Sequence, residues 1–476
     1  TTYWIFGSGG NLYDFTILFP VIIGSLTAIA IFALVRVIGG TSAGLFAALF
    51  FSVSIPIIIR GQIGWFKSEP LGLFFGITAV YLFLSGINSN NKKIIIPKLI
   101  GAGILIIFGL SAWGGDQFFL LPLGIFFLTL PFLRTDHKFL IWSIPIFTLS
   151  TIITSLAFER LGTHFITGLG GLSLIVPTFL LIFCILIQNK SSKNHRTRNG
   201  LFFITIIMII GFSFIILDSD SSIFQNQSHR YLNAMNPFLT TTDPLTDSVS
   251  EHATTTLEQS FIFHSVLMLF AGLGIWLLLI KSKQFNFIKN DMISFSLIIG
   301  LIGVYVSSTF VRLEVFASLS LIILASLGLT VLIKELTKKT EIRKSKNSII
   351  KSSFMIGLIL LLIIPLIFPI NHNVFSYAHN PPTITNGGTT YSIATTDWVD
   401  SMNWIKNNTS EDAVIAAWWD YGYWIQTKAE RASLADNSTV IDHIIKKIAT
   451  VFISSPDKGW EMLREMEADY FLIFVA

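Results

Sequence analysis

Twelve apolar stretches of roughly 17–22 residues recur along this chain with short polar breaks between them. They fall at about 13–35, 40–59, 69–87, 97–113, 117–133, 138–157, 172–188, 201–217, 260–280, 292–309, 313–333 and 353–370. A run of that length lets an α-helix cross ~30 Å of hydrocarbon, where the backbone must satisfy its own hydrogen bonds. The spacing therefore predicts a polytopic α-helical membrane protein of about twelve spans. Composition agrees, since 52% of the 476 residues are hydrophobic, only 13% are charged, and mean hydropathy is +0.69. The single cysteine, Cys184, lies in an apolar run, so no intramolecular disulfide can form.

The breaks alternate in charge. "NSNNKK", "RTDHK", "NKSSKNHRTR", "KSKQFNFIKN" and "KELTKKTEIRKSKNSIIK" are basic, whereas "RGQIGWFKSE", "WGGDQ" and "ERLGTH" are mixed. The positive-inside rule puts the basic set in the cytoplasm. Residues 60–69, the long loop 218–259, the turn around Arg312 and everything after 371 are then external.

The membrane part is predicted over 1–370, followed by a Pro/Gly/Thr-rich linker over 371–390. From 391 to 476 the pattern changes to a helix, "TDWVDSMNWIKNN", and short apolar strands, "AVIAAW" and "YFLIFV". This predicts the start of an external mixed α/β domain. The chain opens on Thr1 and stops inside the second of those strands, so it reads as a fragment at both ends. No internal repeat, phosphate-binding glycine loop, metal-type Cys/His cluster or nucleic-acid patch is legible, and no nucleic-acid partner is expected.

Four polar features stand out on the external side. In "RGQIGWFKSE", Arg60, Lys67 and Glu69 crowd the mouth of two spans, although Trp65 and a snorkelling Lys67 could equally be interfacial anchors. In "SVSEH", residues 248–252, Glu251 stands where Ser248 or Ser250 could simply cap a helix. Arg312 in "SSTFVRLEVF" is an ionisable residue at a span end, with a structural Arg312–Glu314 pair as the rival reading. Finally, "AAWWDYGYWIQ" places Asp420 beside Trp418 and Trp419. Indole N–H groups only donate and an ionised carboxylate only accepts, so together they suit a hydroxyl that does both.

These residues resemble the catalytic subunit of oligosaccharyltransferases, the enzymes that N-glycosylate proteins. "WWDYG", Trp418 to Gly422, is similar to the family's signature pentapeptide, and "ERASLADNST" to the family's continuation of it. "SVSEH" resembles the fifth external loop of the archaeal and eukaryotic branches, and "VRL" and "RGQIGWFKSE" occur in the expected order. The resemblance runs through the whole chain. It implies a GT-C-like fold of thirteen membrane helices and a large external domain, of which the first helix, the first external loop and most of the domain are absent here. The implied activity is metal-dependent, inverting transfer of a glycan en bloc. The donor is a dolichol-linked oligosaccharide with one or two phosphates, and the acceptor is the Asn amide of an Asn-X-Ser/Thr sequon.

The implied roles fall on individual positions. Glu251 and Glu69 match catalytic and metal-binding acids for Mn²⁺ or Mg²⁺. Arg312 matches an arginine on the donor phosphates, and Arg60 a basic residue beside them. Trp418, Trp419 and Asp420, with Tyr421 and Gly422, match the pocket for the sequon hydroxyl. Lys67 departs from the pattern, because the family usually has a metal-binding aspartate there and an ammonium cannot ligate a cation. Either Lys67 turns to a donor phosphate, or another acid serves, or the protein is weakened. The resemblance further implies a multi-pass cell-membrane enzyme of archaeal, single-subunit type, with its active site and C-terminal domain on the extracellular face, no obligatory partner subunits, and no catalysis by the fragment alone. Rival readings are another polytopic glycosyltransferase using lipid-linked sugar, or a transporter.

Overall fold

The structure, a computed structural model, describes residues 12–217, 250–281, 288–337, 346–368, 370, 372–379, 384, 395–439 and 441–474. The chain divides into two compact units, Thr1–His379 and Asn380–Ala476.

The first unit is helical. In order it contains α1 (Leu12–Gly39), α2 (Thr41–Ser52), α3 (Ile55–Ile59), α4 (Ser68–Ile87), α5 (Lys92–Ala112), α6 (Gln117–Leu133), α7 (His137–Ser155), α8 (Gly162–Thr167), α9 (Leu169–Lys190) and α10 (Arg196–Leu217). From residue 250 onward come α11 (Leu257–His264), α12 (Val266–Lys281), α13 (Asn290–Ser307), α14 (Glu314–Thr337), α15 (Lys346–Ile367) and α16 (Val374–His379). Among the described residues eight helices are long and apolar enough to cross a bilayer, nine if α11 and α12 make one bent span.

The expected twelve stretches are all helical, but not all are simple spans. The stretch at 260–280 is bent by 87° between α11 and α12, at Ser265, whose φ is +38°. The stretch at 40–59 is split into α2 and α3, and Pro56 opens the second helix. Proline lacks the N–H that would continue a helical ladder, so the run breaks there. At the C-terminal end α15 runs the 22 residues Lys346–Ile367, and the stretch read as linker contains α16.

The two ends of the bundle are chemically distinct. At one end, Arg134 after α6 donates to Asp136, to Asp291 in α13 and to the carbonyl of Ile87 at the end of α4. At the other end, the start of α4 and the turn between α13 and α14 bring Glu69 and Arg312 together. A helix of twenty residues separates these clusters by ~30 Å.

Between them runs the most enclosed span, Val311–Lys334, with 89% of its most apolar stretch buried. Small residues allow the enclosure. A Cβ on Gly274 of α12 would lie 2.3 Å from the Leu324 carbonyl, and one on Gly328 only 2.4 Å from the Gly274 Cα. Such close backbone approach is how helices pack where lipid supplies no hydrophobic drive.

The second unit holds a parallel three-stranded sheet in the order β2 (Ala432–Ser433), β1 (Val414–Ala416), β3 (Tyr470–Phe471). Val414 pairs with Ala432, and Ile415 with Tyr470. Alternation along β1 sends Ile415 to a core with Trp398, Met402 and Ile405 of helix α17 (Asp397–Asn408). It sends Ala416 to the opposite face, against Val451 and Leu463 of α18 (Asp442–Ile453) and α19 (Pro456–Glu465). The strand expected at "YFLIFV" is only two residues long, and Ile473 and Phe474 beyond it are exposed.

Candidate active site

Residues 60–69 fold as a tight turn before α4. Gly64 has φ +79°, a conformation that glycine adopts without strain, and its N–H donates to the Ile17 carbonyl of α1. Phe66 packs edge-on against Phe15 and Phe19 of the same helix. The loop is thereby pinned, and its polar side chains are set toward the charged neighbours.

Five charged residues meet here. Arg60 Nη1 donates to Glu251 Oε1 at 2.9 Å and lies 3.9 Å from Glu69 Oε1. Arg312 Nη2 donates to Glu69 Oε1 at 2.7 Å, and its Nε is 3.8 Å from Glu251 Oε2. Each acid thus faces both arginines. Lys67 stands beside them with its ammonium 4.2 Å from the Trp65 ring centroid, while the Arg60 guanidinium lies 5.6 Å from the same ring. Trp65 is held between two cations rather than serving only as an interfacial anchor.

The electrostatics reflect that crowding. Loss of hydration lowers the Lys67 pKa below the ordinary lysine value, with Arg312 and Arg60 adding to the effect and Glu251 and Glu69 opposing it. For Glu251 desolvation acts upward, but Arg60, Arg312 and Lys67 outweigh it and leave its carboxyl below the usual range. Glu69 is fully buried, and its Oε2 has no hydrogen-bond partner among the described residues. Gln62 is also buried, with both ends of its amide unpartnered among those residues.

An orphaned carboxylate oxygen is the kind of acceptor a hard divalent cation uses. Glu69 offers such an oxygen and Glu251 sets a second carboxylate beside the same arginines, so the acids fit one side of a metal site, although no group of three potential ligands converges among the described residues.

Two sequence readings change. Arg312 does not pair with Glu314; the latter binds His264 Nε2 at 2.5 Å and accepts from Ser260 at 3.1 Å. Glu251 sits in a one-turn 3-10 helix, Ser250–His252, and the next helix is capped by Thr256, whose hydroxyl and the Gln259 side chain form a reciprocal capping box. Ser248 and Val249 lie outside the described residues. The segment is tied to the Arg312 turn by Val311 N–H donating to the Ala253 carbonyl and Thr255 Oγ1 donating to the Ser307 carbonyl, both at 2.9 Å.

Asp116, in "WGGDQ", carries no signal in the sequence beyond its place in a mixed loop. It is fully buried with both oxygens unpartnered among the described residues. Three glycines make room for it, since a Cβ on Gly109 would lie 2.1 Å from its Oδ2 and those on Gly72 and Gly76 about as near as contact allows, 3.2 and 3.0 Å.

In the second unit "WWDYG" comes directly after β1. Trp419 is buried with an unpartnered Nε1 among the described residues, Trp418 is half-buried and Asp420 is exposed. Tyr421 packs on Trp398 at 4.2 Å and stacks with Trp424. Gly422 is required by space, because a Cβ there would lie 2.2 Å from the Ala435 carbonyl and 2.5 Å from the Asp436 Cα. The neighbouring β2 and β3 lie on opposite sides of β1, so the pentapeptide stands at the carboxyl end of the central strand, where open parallel sheets bind ligands.

A polytopic helical bundle with a charged cluster at one end, joined in sequence to a small α/β unit, is a GT-C-like fold. The match to a family model settles which one: residues 1–253 fit "Oligosaccharyl transferase STT3, N-terminal", and the chain belongs to that family. The Dictyostelium discoideum STT3 subunit of dolichyl-diphosphooligosaccharide–protein glycosyltransferase is 25% identical over 485 residues, covering 97% of this chain and 65% of its own length. Archaeal oligosaccharyltransferase AglB from Archaeoglobus fulgidus, solved with an inhibitory peptide and a dolichol-phosphate, shares the fold with a TM-score of 0.73 at 16% identity, over 98% of this chain and 59% of that one. The A. fulgidus oligosaccharyltransferase complexed with Zn and sulfate aligns with a TM-score of 0.63 at 16% identity, over 94% and 56% of the two chains. The chain therefore spans about 65% of the length of the curated relatives it matches.

Proposed function

We propose that this chain is the membrane domain and the start of the external domain of an oligosaccharyltransferase that moves a glycan from a dolichol-linked donor to the Asn amide of Asn-X-Ser/Thr sequons. The observation that carries the reading is the assembly of Arg60, Glu69, Glu251 and Arg312 from three distant segments into one cluster at one end of the bundle. Family membership supports it, as do the relatives' names.

On this reading Arg312, Arg60 and Lys67 receive the donor's phosphate oxygens through charge-assisted hydrogen bonds. In the resting site the arginines neutralise Glu69 and Glu251. A phosphate arriving as a competing acceptor loosens those pairs and frees the carboxylates. Glu251 then accepts from the acceptor amide N–H, which reduces delocalisation of the nitrogen lone pair into the carbonyl and prepares it to attack the anomeric carbon with inversion. Glu69 and Glu251 would hold Mn²⁺ or Mg²⁺, which when bound supplies positive charge for the departing phosphate. Trp418, Trp419, Asp420, Tyr421 and Gly422 hold the sequon hydroxyl, supported by their place at the carboxyl end of β1. The charged cluster and the external domain face outward across the cell membrane, and the enzyme works in the archaeal, single-subunit form without obligatory partners.

The decisive experiment is an in vitro transfer assay on the full-length protein with an Asn-X-Thr peptide against a Gln-X-Thr control, with and without Mn²⁺. Transfer to the first peptide alone, stimulated by metal, is expected. Equal and metal-independent outcomes would defeat the reading.

A further inference from the structure

We propose that His264 and Glu314 are positioning residues, a buried polar strut beneath the charged cluster that holds Arg60, Glu251 and Arg312 in register. This rests on the roles assigned to those three residues above. The strut is continuous. Ser54 Oγ donates to Ser318 Oγ at 3.0 Å, Ser318 Oγ reaches His264 Nδ1 at 3.5 Å, His264 Nε2 meets Glu314 Oε2 at 2.5 Å, and Ser260 Oγ donates to Glu314 Oε1 at 3.1 Å. Ser54, His264, Glu314 and Ser318 are all buried, at 6, 5, 2 and 0% exposure.

Each anchor lies on a segment that carries a site residue. Ser54 is the residue before α3, whose end leads into Arg60. His264 closes α11, the helix that the Glu251 segment enters. Glu314 opens α14, one residue beyond the Val311–Leu313 turn that holds Arg312. The backbone bends at Ser265 through 87°, with φ +38°, directly after His264, a strained conformation for a residue with a side chain. Neither His264 nor Glu314 bonds any of the five charged residues of the site. Their action is therefore indirect. A saturated buried network of this kind specifies one arrangement of the elements it joins more than it stabilises them.

The test uses the full-length protein in lipid nanodiscs. Removing one partner strands a buried polar group and risks misfolding, whereas replacing both by apolar residues is tolerated. His264→Leu with Glu314→Leu is expected to keep the wild-type unfolding temperature while turnover drops about 10–100-fold, the cost of a small misplacement. The KM for acceptor peptide stays unchanged. Amide exchange at Val311, whose N–H donates to the Ala253 carbonyl, becomes faster in the same variant. Glu314→Gln keeps an oxygen to accept from Ser260 and turns its amide NH2 to His264 Nε2, which accepts in the other ring tautomer, so most of the turnover is retained. Wild-type turnover in the double variant, or lost turnover with Val311 exchange unchanged, overturns the proposal. Should the wild-type protein transfer no glycan, the functional reading fails on its own, and Val311 exchange still decides the strut: faster supports it, unchanged rejects it.

Discussion

Arg312 and Glu69 stand 243 positions apart in sequence, yet the guanidinium donates to the carboxylate at 2.7 Å. The acid side chain is 1% exposed and the arginine 30%. Helix packing creates this pair, because the start of α4 and the turn before α14 reach the same end of the bundle. The pair joins two residues whose proposed duties differ, one toward the metal and one toward the donor.

Arg312→Ala is expected to reduce transfer by about 100-fold or more and to lower stability by ~1–3 kcal/mol, since Glu69 loses its hydrogen-bonded cation and keeps only the more distant Arg60 and Lys67. Adding Glu69→Ala recovers the stability and none of the activity. Thermal unfolding and transfer assays on the same preparations separate the two effects.

Lys67 stays open to solvent at the edge of the cluster, but the protein packed around it strips part of its hydration and, with Arg312 and Arg60, holds its pKa below the ordinary lysine value. Its positive charge is lost as pH rises, so donor affinity should weaken on the alkaline limb earlier than an ordinary lysine at ~10.4 would allow. Lys67→Arg moves that limb to higher pH. Lys67→Ala flattens it and weakens donor binding throughout, and Lys67→Asp weakens it further. The check is donor KM against pH; full activity in the alanine variant would remove Lys67 from the donor site.

Gly422→Ala places a methyl group against the backbone of Ala435 and Asp436, which cannot yield as a side chain end would. The expected cost is ~1–3 kcal/mol in the external domain. Acceptor-peptide KM rises while donor KM holds, measured with each substrate varied in turn.

Arg431 is buried and donates to the carbonyls of Lys406 and Thr409 and to Thr409 Oγ1 at 2.6, 2.9 and 2.9 Å. The planar fork ties β2 to the end of α17, and an ammonium cannot reproduce it. Arg431→Lys should lower the domain's stability by ~2–4 kcal/mol, read as faster amide exchange over residues 404–409.

The helices are legible in the sequence because apolar runs of span length admit few other folds in lipid, and "WWDYG" because its residue types are so unusual together. Pairing across the bundle is not. Proximity suggests an Arg312–Glu314 pair, but residues two apart on a helical path point to different sides, and each finds a partner from another element. His264 lies inside an apolar run with no motif around it, although an ionisable residue at that depth is itself a signal. Asp116 is hidden for a different reason. Its burial depends on Gly72, Gly76 and Gly109, whose meeting is visible only after packing.

The enclosure of the Val311–Lys334 span fixes more than packing. A helix whose backbone approaches its neighbour this closely at Gly274 and Gly328 has little room to slide or tilt by itself, which favours one height for Arg312 at its head relative to the bundle. A molecule anchored by a lipid tail also carries its head group at nearly constant height while it diffuses sideways. With both heights fixed, the search between them loses a dimension. Under the proposed function, encounter with a lipid-linked donor then depends on lateral diffusion and orientation, and the close packing of one helix does for capture what a long-range field does for a soluble substrate.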